Sequence, residues 1–107
     1  LAGPGKVGAE VDADVAAGLA RIAALNGVAA AAAAAGGLDA IEQVVKLVVF
    51  VASDPEFTGQ PAVANGASLL IGDIFGEAGR HARSAVGVAV LPLNSPVEVE
   101  LIVRVRG

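Results

Sequence analysis

The segment "AIEQVVKLVVFVAS", residues 40–53, decides the fold. It is rich in Val, Ile and Phe, residues that suit a pleated, half-buried surface. Its second half is apolar at consecutive positions, the pattern of a strand covered on both faces. Such a strand sits inside a sheet and needs other layers around it.

The flanking sequence supplies them. Residues 13–35 read as a helix, with Asp12 as its N-cap and Asp14 favouring the positive helix end. Val15, Leu19, Ile22, Ala29 and Ala33 recur at helical spacing and predict its apolar face. The run "VAAAAAAAGG" (28–37) is low in complexity; Ala is the strongest helix former and lets a helix approach a sheet closely. Gly36 and Gly37 end it. "SDPEFTGQP" (53–61) reads as a loop, and residues 61–75 as a second helix with Val63, Ala67, Leu70 and Ile74 on one face. "GEAGR" closes that helix. Residues 83–91 and 97–105 read as strands joined by "PLNSP", which predicts a hairpin. "KVGAEV" (6–11) reads as a short edge strand, after a Gly/Pro loop. The order predicts an α+β fold, a mixed sheet with two helices packed on one face.

The chain has 107 residues, enough for one domain with one core. It is 55% hydrophobic, 3% aromatic and 17% charged. So apolar a small chain is expected to bury surface against further copies. No uninterrupted apolar run is read as a membrane span, since a charge breaks each candidate, and no signal peptide is visible at the start. Absence of Cys rules out disulfides and thiolate metal sites and fits a cytoplasmic protein. A net charge of −4 argues against a protein that grips nucleic acid. The chain also has no Met and opens "LAGPGKVG"; a further segment ahead of Leu1 is expected.

Few residues offer chemistry. With one His and no Cys there is no metal-binding pattern, and no glycine-rich phosphate loop has the required spacing. Neither a metal nor a cofactor is expected. Ser84, His81 and Asp73 could be assembled into a hydrolase triad on paper, without context to support it. Strand alternation is more informative. Arg83 shares a strand face with Ala85, Gly87 and Ala89, all small, which leaves room beside a guanidinium. That planar fork matches a carboxylate with two hydrogen bonds. Glu98, just past the expected turn, could hold a water, accept a proton or pair with Arg83; an ordinary cross-strand ion pair is the plainer reading. Asn26 falls on the predicted apolar face of the first helix, as a buried amide bonded to backbone. Lys46 reads as a snorkelling or interface residue. Phe50, Phe57 and Phe75 read as core.

The stretch "HARSAVGVAVLPLNSPVEVELIV" (81–103) resembles the C-terminal signature of the Rid (reactive intermediate deaminase), or YjgF-like, family: an Arg opening a strand, an apolar run, Leu-Pro, a short turn and a Glu-bearing final strand. "LARIAALNGVAAAAAAAGGLDAIEQVVKLVVFV" and "VANGASLLIGDIFGEAGR" resemble its helix–strand unit and its second helix. The resemblance runs from about Lys6 onward and points to a less characterised branch. It implies a chorismate-mutase-like fold, a homotrimer, and ligand sites in clefts between subunits. It implies hydrolysis of reactive enamines and imines such as 2-aminoacrylate to 2-oxo acids and ammonia. Arg83 would clamp the substrate carboxylate and Glu98 would position water. The backbone at Ala85 would touch the substrate near the reacting carbon, with Asn65 lining the cleft; the extra "GEAGRH" before Arg83, a departure from the family, places Arg80 and His81 near it. It further implies that the domain here, residues 1–107, lacks an N-terminal β-hairpin. Where many relatives carry Cys, this chain has Ala85. A non-catalytic trimer that binds a small carboxylate is the alternative, and an endoribonuclease or translation inhibitor a weaker one. No nucleic acid or membrane partner is expected.

Overall fold

The central segment forms strand β1, Ile41–Ala52, in a computed structural model that describes residues 5–107. Leu1–Pro4, the start of the expected opening loop, lie outside the described residues. Before β1 comes helix α1, Ala13–Ala35. After it come helix α2, Gln60–Phe75, strand β2, Ala82–Val88, and strand β3, Val97–Val105. Short 3-10 turns sit at Leu38–Ala40, Gly76–Gly79 and Pro92–Asn94. The fold is α+β, as read from the sequence.

The sheet order is β2-β1-β3, with β2 parallel and β3 antiparallel to β1. The expected β2–β3 hairpin is therefore wrong. Residues 89–96 are not a tight turn but a connection that carries the chain over the end of β1. Leu91 is buried within it. The end of β1 is bonded from both sides: Ser53 N–H donates to the Val88 carbonyl at 3.0 Å and Ala52 N–H to the Pro96 carbonyl at 2.9 Å. The parallel β1–β2 pair follows from α2, which crosses back between them.

The register sets the two faces. On the helix face lie the rows Arg83–Leu47–Leu101, Ala85–Val49–Val99 and Gly87–Val51–Val97. On the other face lie Ala82–Lys46–Ile102, Ser84–Val48–Glu100 and Val86–Phe50–Glu98. Leu47, Val49 and Val51 are fully buried. Phe57 and Phe75 pack on the core as expected, whereas Phe50 lies on the opposite face, half-buried.

The buried stripe of α1 is Ala16, Ala20, Ala24 and Val28. This differs from the face expected from Val15, Leu19, Ile22, Ala29 and Ala33. The reason is close approach. A Cβ added at Gly66 of α2 would stand 2.0 Å from the Ala17 carbonyl oxygen, so the two helix backbones nearly touch and only small side chains fit between them. Val15, Ile22 and Leu25 turn outward, 42%, 56% and 49% exposed. Asn26 is exposed on this rotated helix, not a buried amide. By length and composition α1 is apolar enough to cross a membrane, although Arg21 interrupts its apolar run. Its alanine stripe instead belongs to the core that α2 and the sheet share.

Asp12 is the N-cap, but its side chain makes no capping bond; Gly36 ends α1 in the left-handed region at φ 95°. The expected edge strand at residues 6–11 reduces to bridges at Val7, which is fully buried. Its N–H donates to Ala52 O at 2.8 Å, and its carbonyl accepts from Asp54 N–H at 2.9 Å.

Candidate functional site

Arg83 opens edge strand β2 on the helix face of the sheet, opposite Leu47. Two side chains of α2 meet it there. Its Nη1 donates to Asn65 Oδ1 at 2.7 Å and to Ser68 Oγ at 3.3 Å. Asn65 and Ser68 are three residues apart and so share one helix face. The Asn65 contact holds the guanidinium through one nitrogen, leaving most of its five donors unused. Among the described residues no carboxylate pairs with Arg83, while Arg21, Arg80 and Arg104 pair with Asp73, Glu77 and Glu42. Arg83 is exposed. A positioned cation that is open to solvent and lacks an anion is suited to receiving one.

His81 completes the group. Its Nε2 lies 3.0 Å from Ser68 Oγ, and its Nδ1 lies 2.5 Å from the Gly79 carbonyl oxygen. A carbonyl only accepts, so Nδ1 carries the proton. Nε2 of the neutral ring then accepts from the Ser68 hydroxyl, which in turn accepts from Arg83. The turn that presents His81 is tightly held. Gln43 Nε2 donates to the Arg80 carbonyl at 2.6 Å. A Cβ at Gly79 would stand 2.7 Å from the Ile71 carbonyl oxygen, so only glycine fits at that point.

Asn65, His81 and Arg83 are thus brought together, and Ala85 follows Arg83 on the same sheet face, packed against the core. Glu98 is not. It faces the other way on β3, opposite Phe50, with β1 between it and β2. The plain Arg83–Glu98 ion pair is excluded within one chain. The paper triad also fails: His81 bonds Ser68 and not Ser84, and Asp73 pairs with Arg21 at 3.7 Å. Ser68 is the residue that sequence reasoning missed; its spacing from Asn65 was the available signal.

Further along the same face, a cavity of about 300 Å³ opens between the end of β1, Gly87–Ala89 and the start of α2. Its polar groups largely satisfy each other: Gln60 Nε2 donates to Ser53 Oγ at 3.2 Å and to the Phe57 carbonyl at 2.8 Å. Among the described residues no three His, Cys, Asp or Glu side chains gather as a metal-holding group.

The family model described as "YjgF/chorismate mutase-like, putative endoribonuclease" matches residues 1–105. The chain belongs to this family. It is 51% identical over 103 residues to Protein TCP17 of Trypanosoma cruzi, covering 95% of this chain and 64% of that protein, so it spans under two thirds of that relative. Among solved structures it is similar to Atu1372 of Agrobacterium tumefaciens, a protein of unknown function. That likeness has a TM-score of 0.95 at 48% identity and covers 98% of this chain and 68% of that one. It is also similar to a "putative endoribonuclease" of Shewanella oneidensis MR-1, with a TM-score of 0.91 at 34% identity, covering 95% and 68% of the two chains.

Proposed function

We propose that this YjgF-like chain hydrolyses small, carboxylate-bearing enamines or imines of the 2-aminoacrylate type to 2-oxo acids and ammonia. The supporting observation is Arg83, held by Asn65 at 2.7 Å, without a carboxylate partner among the described residues, beside the small Ala85 and Gly87. A fixed guanidinium can grip a substrate carboxylate without reorganising. Such substrates are already reactive, so the protein needs chiefly to orient them and a water. β2 is an edge strand, which leaves backbone groups near Ala85 free for a ligand. No bound cofactor is needed for this hydrolysis.

The active form is proposed as a homotrimer. Glu98 faces away from its own Arg83, so as a water-positioning group it would serve the cleft of a neighbouring copy. Val86 and Ile102, 41% and 49% exposed on the face without helices, fit burial between copies. The family description and the Shewanella relative carry the word endoribonuclease, but the described residues of this acidic chain do not form a basic surface for RNA. Its net charge is −4, and three of its seven cations are tied to carboxylates.

The test is ammonia release from 2-aminoacrylate generated in situ, by the full-length protein. Turnover above the buffer rate, falling on the order of 100-fold in Arg83→Ala, is expected. Carboxylate binding without turnover in a folded trimer would replace the enzyme reading with a binding module.

A further inference from the structure

We infer that the proton acceptor of this site is a Ser68–His81 relay carried by the same chain as Arg83. The inference rests on the deaminase reading above and names the groups that would move its protons. Three observations carry it. Glu98 faces away from Arg83 within its own chain, so it reaches this site only from a neighbouring copy, as the group that positions the water. The Ser68 hydroxyl touches both Arg83 and His81. The Gly79 carbonyl fixes the His81 tautomer so that the free lone pair of Nε2 faces Ser68.

The enamine takes up a solvent proton at C3 and so becomes the protonated imine; with its carboxylate on Arg83, the water oxygen bonds to the imine carbon and the C=N electron pair moves to nitrogen. One water proton passes to Ser68 Oγ as the serine proton passes to His81 Nε2. The imidazolium then returns its proton by the same path to the amino nitrogen. The C–N bond breaks, ammonia leaves, and the carbinolamine oxygen forms the carbonyl as its remaining proton is lost to solvent. Ser68 touches the reacting water; His81 acts through it.

The charged groups on the elements around His81 are Arg80 and Glu77 on its own turn, Arg83 on β2, Asp73 on α2, and Lys46 and Glu42 on β1. Glu77, Asp73 and Glu42 are engaged with Arg80, Arg21 and Arg104. No carboxylate bonds the ring among the described residues. The imidazole takes up the relayed proton only while Nε2 carries none, so an acid limb is expected in the rate.

The test is the pH–rate profile of the full-length protein on 2-aminoacrylate, with three variants. Ser68→Ala should lower kcat about 100-fold with KM within a factor of two, because Arg83 keeps Asn65. Ser68→Thr, which keeps the hydroxyl, should restore part of that loss. His81→Gln can still bond Ser68 but has no ring nitrogen to take up its proton, so the acid limb should vanish as kcat falls. Circular dichroism verifies folding. A wild-type profile retained in both Ser68→Ala and His81→Gln overturns the relay and leaves the deaminase reading standing. An acid limb removed instead by Glu98→Gln also overturns it. Absence of turnover in the wild type overturns both readings together.

Discussion

The two faces of one sheet solve different problems. On the helix face every row is small or aliphatic except at its edge, where Arg83 emerges beside Asn65 and Ser68. There the polar chemistry is confined to a border that the helices do not cover. The other face mixes Val48, Phe50, Val86 and Ile102 with Lys46, Glu98 and Glu100 and has no helix over it. The comparison teaches that a site needs a packed background: side chains anchored in helix and strand hold Arg83 at a stated distance, while Glu98 is held only by its place on a strand.

Substitutions can break or sharpen this contrast. Leu47→Ala, at the centre of the closed face, should cost about 2–5 kcal/mol, read by urea denaturation. Gly66→Ala should cost about 1–3 kcal/mol in the same assay. Alanine's better helix propensity, worth about 1 kcal/mol, is outweighed because its methyl group meets the Ala17 carbonyl. A stabilised Gly66→Ala would show that α1 can slide away, and the tight contact would lose its meaning. Val86→Lys on the open face should shift the stability of an isolated chain by under about 0.5 kcal/mol, yet dissociate the proposed trimer, read by sedimentation. A loss as large as that of Leu47→Ala, with unchanged assembly, would erase the difference between the faces. Asp73→Asn removes an exposed 3.7 Å ion pair and should change stability least, by under about 0.5 kcal/mol.

Much of this architecture was legible in the sequence, for identifiable reasons. The strand at 41–52 and the helix ends at Asp12 and Gly36 follow from local propensity and glycine geometry. The α1 face was misread because bulk was taken as the sign of burial, whereas backbone approach at Gly66 demands alanine there. The hairpin was misread because chain proximity was taken as strand pairing; nothing local tells residues 89–96 to cross β1 instead of turning. Alternation along the strand marks Arg83, and only the family pattern marks Asn65; the structure bonds the two to each other. Ser68 was hidden, because a serine on a helix has many uses until a partner from another element is seen.

The sheet order has a consequence for the order of synthesis. β1 gains its parallel neighbour once residue 88 has been made, but its second edge stays bare until β3 follows. During that interval the most apolar strand of the protein presents unpaired backbone to its surroundings, the condition under which nascent chains stick to one another. The last nine strand residues, Val97–Val105, therefore act as the closing strip of the fold, and a stalled chain that ends before them would be a substrate for chaperones and proteases.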